Sequence, residues 1–392
     1  MCIAKDELRE LAARSGLSLL AVTTADPFPG LTDLLRTRIR AGHLAGMNWF
    51  DEERARIAGD PHNLHPTARS IVSVALPYWL PDIVPPNDGI ARGRIARYAW
   101  GHDYHRVLRD RMKRLHQLLE ERCGRPIDAR FLVDTARIVD REIAARAGLG
   151  WQGKNTMILV PHYGSWVLLG ELLLDIDIEP DAPLRPRCGR CQRCLDACPT
   201  GALIRPYELF APRCISYLTI EHRGPIPWDV RPLLANWVFG CDICQEVCPY
   251  TAAAQRADDP VIFPERLEHC FPSLEWLLTM SEDEFRSVYR GRPVLRAKRV
   301  GLARNAAVAL GNVGDQRHLE TLAWAVLAHD EPLVRSHAAW AMARIDYAAS
   351  LPVLQRALAQ ETDSSVRQEI EQVLASPPAP LNRSSATLLR SH

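Results

Sequence analysis

No stretch of this 392-residue sequence stays apolar over the roughly 20 residues that a helical membrane span requires. The start, MCIAKDELRELAARSGLSLLAVT, mixes Lys5, Arg9 and Arg14 with Asp6, Glu7 and Glu10 and lacks the apolar core of a signal peptide. A cytoplasmic protein with no membrane partner is therefore expected. Charge of either sign is not in excess: 48 Lys and Arg face 47 Asp and Glu, a net charge of +1. Any contact with nucleic acid must then come from a local patch, not from a global field. With 47% hydrophobic and 24% charged residues, the composition gives no reason to expect disorder. The length allows two or three domains.

What the sequence does have is cysteine, eleven in all, without the secretion signal that would suit a disulfide scaffold. Seven fall in two short runs. CGRCQRCLDACP places Cys188, Cys191, Cys194 and Cys198 before Pro199, and CDICQEVCP places Cys241, Cys244 and Cys248 before Pro249. The first run is a complete C-x2-C-x2-C-x3-C-P, a spacing in which three thiolates wrap one iron–sulfur cluster and the fourth reaches a second. The second run lacks its first member, because Val238 stands there, and Cys214 between the runs supplies the missing thiolate. The expected ligands are Cys188, Cys191, Cys194 and Cys248 for one [4Fe–4S] cluster and Cys198, Cys214, Cys241 and Cys244 for the other. A pair of zinc knuckles is the plainer alternative, but it explains neither the triplet nor the two prolines. Cys2, Cys123 and Cys270 stand apart and are read as structural or incidental.

Residues 1–179 alternate helical and strand patterns. Strands are expected at 19–24, 70–78, 131–134, 156–160 and 166–176, with helices at YHRVLRDRMKRLHQLLEERCG and DREIAARAG. This is the signature of an α/β domain, with 180–186 as its exit linker. GLGWQGK contains Gly148, Gly150 and Gly153, a literal G-x-G-x-x-G. It follows a helix and precedes a strand, the reverse of the order a dinucleotide site needs, so nicotinamide cofactor binding is rejected. YAWGHDYH (98–105) crowds polar and aromatic residues at a helix entrance, which capping alone could explain. FLVDTARIVDRE puts Asp134 at a strand end, where a partly desolvated carboxyl would have a raised pKa and suit proton donation.

From residue 296 the sequence repeats with a period of 32. Leu302, Val334 and Val366 correspond, as do Leu319 and Leu351, Leu322 and Leu354, Ala325 and Ala357, and NAAVAL (305–310) aligns with HAAWAM (337–342). Stacked helix pairs of HEAT type are expected. The stretch Arg292, Arg296, Lys298, Arg299 and Arg304 has no acidic residue before Asp315 and is a candidate phosphate-binding surface. The expected architecture is multidomain α/β plus α: an α/β domain over 1–179, a ferredoxin-like domain with two clusters over 180–290, HEAT-like repeats over 291–376 and a tail over 377–392.

DYH, FLVDT…DRE, AGLGWQGKN, GSWVLLGE, the two cysteine runs around RCISYLTIEHRG, and GLARNAAVALGN together resemble the epoxyqueuosine reductase family over residues of about 5 to 375. The resemblance implies that the α/β domain binds cobalamin and that the chain removes the epoxide oxygen of epoxyqueuosine at the tRNA wobble position. It implies Asp134 as proton donor and the cluster ligands given above. Arg97, Lys154, Asn155, Ser216 and Asp242, with Asp134, fall in segments matching cobalamin contacts. Asp103, Tyr104, His105 and Arg141 match residues near the substrate, and the basic stretch from Arg292 to Arg304 is the expected tRNA contact. DTARIVDRE lacks the proline that the family often carries after the catalytic aspartate. No D-x-H-x-x-G occurs, so no histidine is expected to ligate the cobalt from below. An external low-potential electron donor and a monomeric state complete the expectation. The alternatives are a reductive dehalogenase acting on a small molecule, which would have no use for a basic repeat tail, and a non-catalytic iron–sulfur carrier.

Overall fold

The computed structural model describes residues 3–44 and 46–381. The chain divides into two compact units, each assembled from separated segments. The first takes residues 1–82, 101–212 and 242–263, and the second takes 83–100, 213–241 and 264–392. The ferredoxin-like stretch over 180–290 is thus not a compact unit of its own. Its first cysteine run and most of the second belong to the first unit, while Cys214 and Cys241 belong to the second.

The first unit is built on a four-stranded sheet in the order Leu19–Thr24, Ser70–Pro77, Val167–Leu174, Ala129–Leu132. Every pairing is antiparallel, with Val72 opposite both Val22 and Leu172, and Phe131 also opposite Leu172. The alternating sequence pattern therefore gave the elements but not a parallel sheet. The two central strands are buried nearly throughout, because helices cover both faces. On one face lies the 20-residue helix Tyr104–Cys123. Gly170 permits its close approach, since a Cβ there would stand 3.2 Å from Met112 Cε. On the other face Ile138 and Ile143 pack with Ile71 and Leu173, so odd-numbered residues of the strand Val167–Leu174 point toward the helix Asp140–Arg146. The short strand ends at Leu132, two residues earlier than the apolar run implied. Val133 is still buried and Asp134 begins the loop, with a left-handed φ of 43°.

The second unit is dominated by the helices Lys298–Val313, Leu319–Ala328, Pro332–Ile345, Tyr347–Gln360 and Ser364–Ala375. The first, third and fifth pack side by side, as the 32-residue period requires. Leu302, Val334 and Val366 are each 0% exposed, so the repeat is a core repeat. A buried ion pair, Arg231 Nη1 to Glu369 Oε1 at 2.6 Å, ties the last helix to the turn Arg231–Leu234.

Candidate functional site: an acid cluster and a thiol pocket

At the N-terminus of the helix Tyr104–Cys123, Asp103 caps the chain by accepting from the His105 backbone N–H at 3.1 Å. The same oxygen, Asp103 Oδ1, lies 2.8 Å from His105 Nδ1, and His105 Nε2 lies 3.3 Å from Asp134 Oδ2. Tyr104 stacks on the imidazole with ring centroids 4.2 Å apart. Arg141 donates to the Thr156 carbonyl at 2.8 Å and adds its positive charge beside Asp134. The residues read separately from YAWGHDYH and FLVDTARIVDRE thus meet in one constellation.

Burial opposes a charge on His105, but the hydrogen bonds and negative charges of Asp103 and Asp134 outweigh it and raise the imidazole to about 9. Burial would also raise Asp134. The hydrogen bond and charge of His105, the Tyr104 hydroxyl and the charge of Arg141 instead hold it below its ordinary value. This corrects the expectation of a raised carboxyl. At neutral pH Asp134 is ionised, and the transferable proton rests on His105. Sequence position suggested desolvation alone, whereas the fold also sets a cation, His105, against the Asp134 carboxylate.

Cys188, Cys191, Cys194 and Cys248 line one pocket with Lys154, Asn155, Tyr250 and Pro249. Burial and the charges of Cys248 and Cys188 push the Cys194 thiol up, so its thiolate form is favoured by a neighbouring cation. No three described His, Cys, Asp or Glu side chains stand close enough to hold a single metal ion. Four thiols lining one pocket, three of them in the C-x2-C-x2-C spacing, are a donor set that suits an iron–sulfur cluster. Lys154 Nζ donates to the carbonyls of Gly189 at 2.7 Å and Cys191 at 2.9 Å, and Asn155 Nδ2 donates to the Cys244 carbonyl at 3.3 Å. These two residues, expected at cobalamin, brace the cysteine loops. Cys198 and Cys244 lie in the same unit; Cys214 and Cys241 lie in the second. Cys270 is buried, Cys123 is disulfide-bonded and Cys2 lies outside the described residues.

Other expected contacts are redistributed. Asp242 is 1% exposed and accepts from Gln245 Nε2 at 3.2 Å, while Gln245 Oε1 accepts from Ser165 and Tyr78. A side chain so enclosed braces the Gln245 segment. In the second unit, Arg97 lies over the Trp100 ring and Ser216 is in the helix Ile215–Ile220. The glycine-rich turn runs from helix to hairpin, and Gly148 has a φ of 78° with Ala182 O only 2.2 Å from where a Cβ would stand.

Two of the five basic residues are removed from the candidate tRNA surface. Arg304 is 1% exposed, and its guanidinium donates to the carbonyls of Leu218, His222 and Gly224 at 2.6–2.8 Å. Arg292 is 4% exposed, donating to the Trp100 carbonyl and pairing with Glu265. Arg296 pairs with Glu221 and Arg299 with Asp330, whereas Lys298 is exposed. The basic run looked continuous in sequence, but helical winding turns its members to different sides.

Sequence reasoning missed Arg54, which donates to the Thr135 and Ala136 carbonyls and lies under the Trp49 ring at 4.7 Å, so that it holds the Asp134 loop. It also missed the buried Glu171 and, beside it, Asp140, whose Oδ1 is enclosed. A glutamate inside the apolar run WVLLGELLLDI was the available signal.

Comparison with known proteins places these features together. Residues 59–135 match the family model described as "Epoxyqueuosine reductase QueG, DUF1730". Residues 187–251 match a 4Fe-4S double cluster binding domain and 293–375 match HEAT repeats. The chain is 37% identical over 369 residues to the epoxyqueuosine reductase of Bacillus subtilis strain 168, covering 94% of each chain. It is 38% identical over 307 residues to that of Escherichia coli K12, covering 76% of this chain and 78% of that one. A solved structure of an epoxyqueuosine reductase with an epoxyqueuosine-modified tRNA-Tyr stem loop superposes with a TM-score of 0.88 at 37% identity, covering 95% of this chain and 98% of that one. The enzyme of Streptococcus thermophilus gives 0.84 at 30% identity, covering 96% and 99%. With identity of this order over 94% of both chains, the chain belongs to the epoxyqueuosine reductase family.

Proposed function

We propose that this chain reduces epoxyqueuosine in tRNA to queuosine, using two [4Fe–4S] clusters and cobalamin. The reaction takes one epoxide, two electrons and two protons to one alkene and one water. The observation that carries the reading is the exposed Asp103–His105–Asp134 chain, an acid with its own proton store. Substrate settling on Asp134 strips water from it. Loss of water raises the carboxylate's proton affinity, so the proton moves from His105 to Asp134 and on to the departing epoxide oxygen. Asp103 compensates by keeping the imidazole oriented and its Nδ1–H engaged. Arg141, fixed by the Thr156 carbonyl, stands ready beside the developing negative charge.

Cys188, Cys191, Cys194 and Cys248 hold one cluster, supported by the thiol pocket. On spacing alone, Cys198, Cys214, Cys241 and Cys244 hold the other. Cobalamin, when bound, supplies the metal-centred redox chemistry at the substrate carbon that side chains cannot. Lys154 and Asn155, in the glycine-rich turn, would be among the residues that hold the cofactor, and Gly153 leaves room for the Asn155 side chain, since a Cβ there would stand 2.6 Å from Asn155 Oδ1. Arg97 and Ser216 are the remaining contacts to test. Lys298, with Arg296 and Arg299 released from their carboxylates, meets tRNA phosphate. Electrons come from an external low-potential donor, and the protein works as a cytoplasmic monomer. Among the described residues no helix is long and apolar enough to cross a membrane.

The test is anaerobic. Protein reconstituted with iron, sulfide and cobalamin is given reductant and epoxyqueuosine-containing tRNA, and the nucleosides are weighed. Cobalamin-dependent loss of one oxygen is expected, abolished by Asp134→Asn. Full activity in that variant would remove Asp134 from the mechanism.

A further inference from the structure

Behind the Asp134 loop lie two acids that neither the thiol pocket nor the Asp103–His105–Asp134 chain uses. Glu171 is 0% exposed in the central strand and points to the face carrying the helix Asp140–Arg146, whose first residue is Asp140. In register, Glu171 stands opposite Ser73 on one neighbour and Leu132 on the other, and Leu132 precedes Asp134 by two residues. Glu171 therefore borders the start of the loop and Asp140 its end.

As two carboxylates the pair is unsatisfied. Among the described residues no donor reaches either oxygen of Glu171 or Oδ1 of Asp140, and the Ser73 hydroxyl makes no hydrogen bond. Two bare charges whose facing oxygens, both of Glu171 and Oδ1 of Asp140, are enclosed repel and lack solvation there, whereas one proton between them makes a charge-assisted O–H···O bond. Burial, then the charge of Asp140, then that of Asp134 lift Glu171 well above the ordinary carboxylate range. Burial and the Asp134 charge also lift Asp140, against the hydrogen bond from Glu171.

We propose that Asp140 and Glu171 share a single proton beneath the Asp134 loop, and that the one negative charge they retain helps keep a proton on the His105–Asp134 pair between turnovers. They are a positioning pair, acting through Asp134 and not on the substrate. The charged groups around them are Asp134, Arg141 on the same helix as Asp140, and Arg54 from the helix Glu52–Ala58. The pair's negative charge offsets the two arginines, which would otherwise drive the proton away. The inference rests on Asp134 being the acid.

Two measurements test it. Infrared difference spectra in light and heavy water, taken near neutral pH without substrate, should show a protonated-carboxyl band that Glu171→Gln removes and Asp134→Asn keeps. Absence of such a band would overturn the proposal. The pH dependence of single-turnover rates should then separate charge from shape. Glu171→Gln leaves one negative charge on Asp140 and should keep the alkaline limb in place. Asp140→Asn with Glu171→Gln removes the charge and should move the limb to lower pH by about one unit. An unmoved limb in the double variant, in a protein where Asp134→Asn abolishes turnover, would sink this inference alone. Full turnover by Asp134→Asn would instead sink the functional reading beneath it. If the double variant does not fold, the infrared result decides.

Discussion

Replacing Arg304 by methionine separates a structural arginine from a tRNA-binding one. The side chain fills the space between the helix Lys298–Val313 and the 218–224 segment. It donates to the carbonyls of Leu218, His222 and Gly224 and to Asn305 Oδ1. Burial, with the charges of Arg223 and Arg231, lowers its guanidinium to about 9, so it remains charged at neutral pH. Methionine matches the length but strands three buried carbonyls. Each such loss costs about 1–3 kcal/mol, partly relieved because the buried charge leaves as well, giving a net loss of about 3–5 kcal/mol. At roughly 2–4 °C per kcal/mol for a unit of this size, melting should fall by about 6–20 °C. Scanning fluorimetry of the anaerobic holoprotein measures this, alongside tRNA affinity across a salt series. For Lys298→Ala the pattern is reversed: melting almost unchanged, weaker tRNA binding, and a salt slope reduced by about 0.7–0.9 for the lost phosphate contact. Arg304→Met with unchanged melting and a reduced salt slope would refute the structural assignment and return Arg304 to the binding surface.

His105→Gln should lower turnover at neutral pH by about 100-fold or more, the ordinary worth of a general acid, measured in single turnovers with saturating tRNA. In stability, the folded imidazole value of about 9 lies above the ordinary 6.5, so its contribution is full below pH 6.5 and lost as pH rises through 9. The melting gap between wild type and His105→Gln should therefore close between those values, with about 1–2 kcal/mol at stake once solvent screening is allowed for. Asp103 and Asp134, both held low, add stability that disappears only in acid. Lys154→Met releases the Gly189 and Cys191 carbonyls and should speed loss of the iron–sulfur absorbance in air, with little change in helical content by circular dichroism. Gly148→Ala combines a left-handed φ with a clash against Ala182 O and should sharply reduce soluble yield.

The sequence by itself determined the chemistry and most of the elements. Thiolate spacing is local, so the two runs announced iron–sulfur ligation before any fold was known. The 32-residue period survived as a buried stripe because a solenoid repeats its core with its sequence. Asp134 and the DYH segment were legible as candidates because each stands at the end of a regular element. Only the tertiary structure decided which groups meet and which state they hold. The pairing of His105 with Asp134 spans 29 positions, and its electrostatics reverse the expected ionisation of Asp134. A run of five basic residues looked like one surface, yet the helix buries Arg304 against carbonyls, while Arg292 turns to the Trp100 carbonyl and Lys298 to solvent. Sheet direction, the proton shared behind the loop and the interleaving of chain segments all depend on contacts distant in sequence. Periodicity and spacing report what lies along a chain, whereas burial and charge depend on what folding brings beside it.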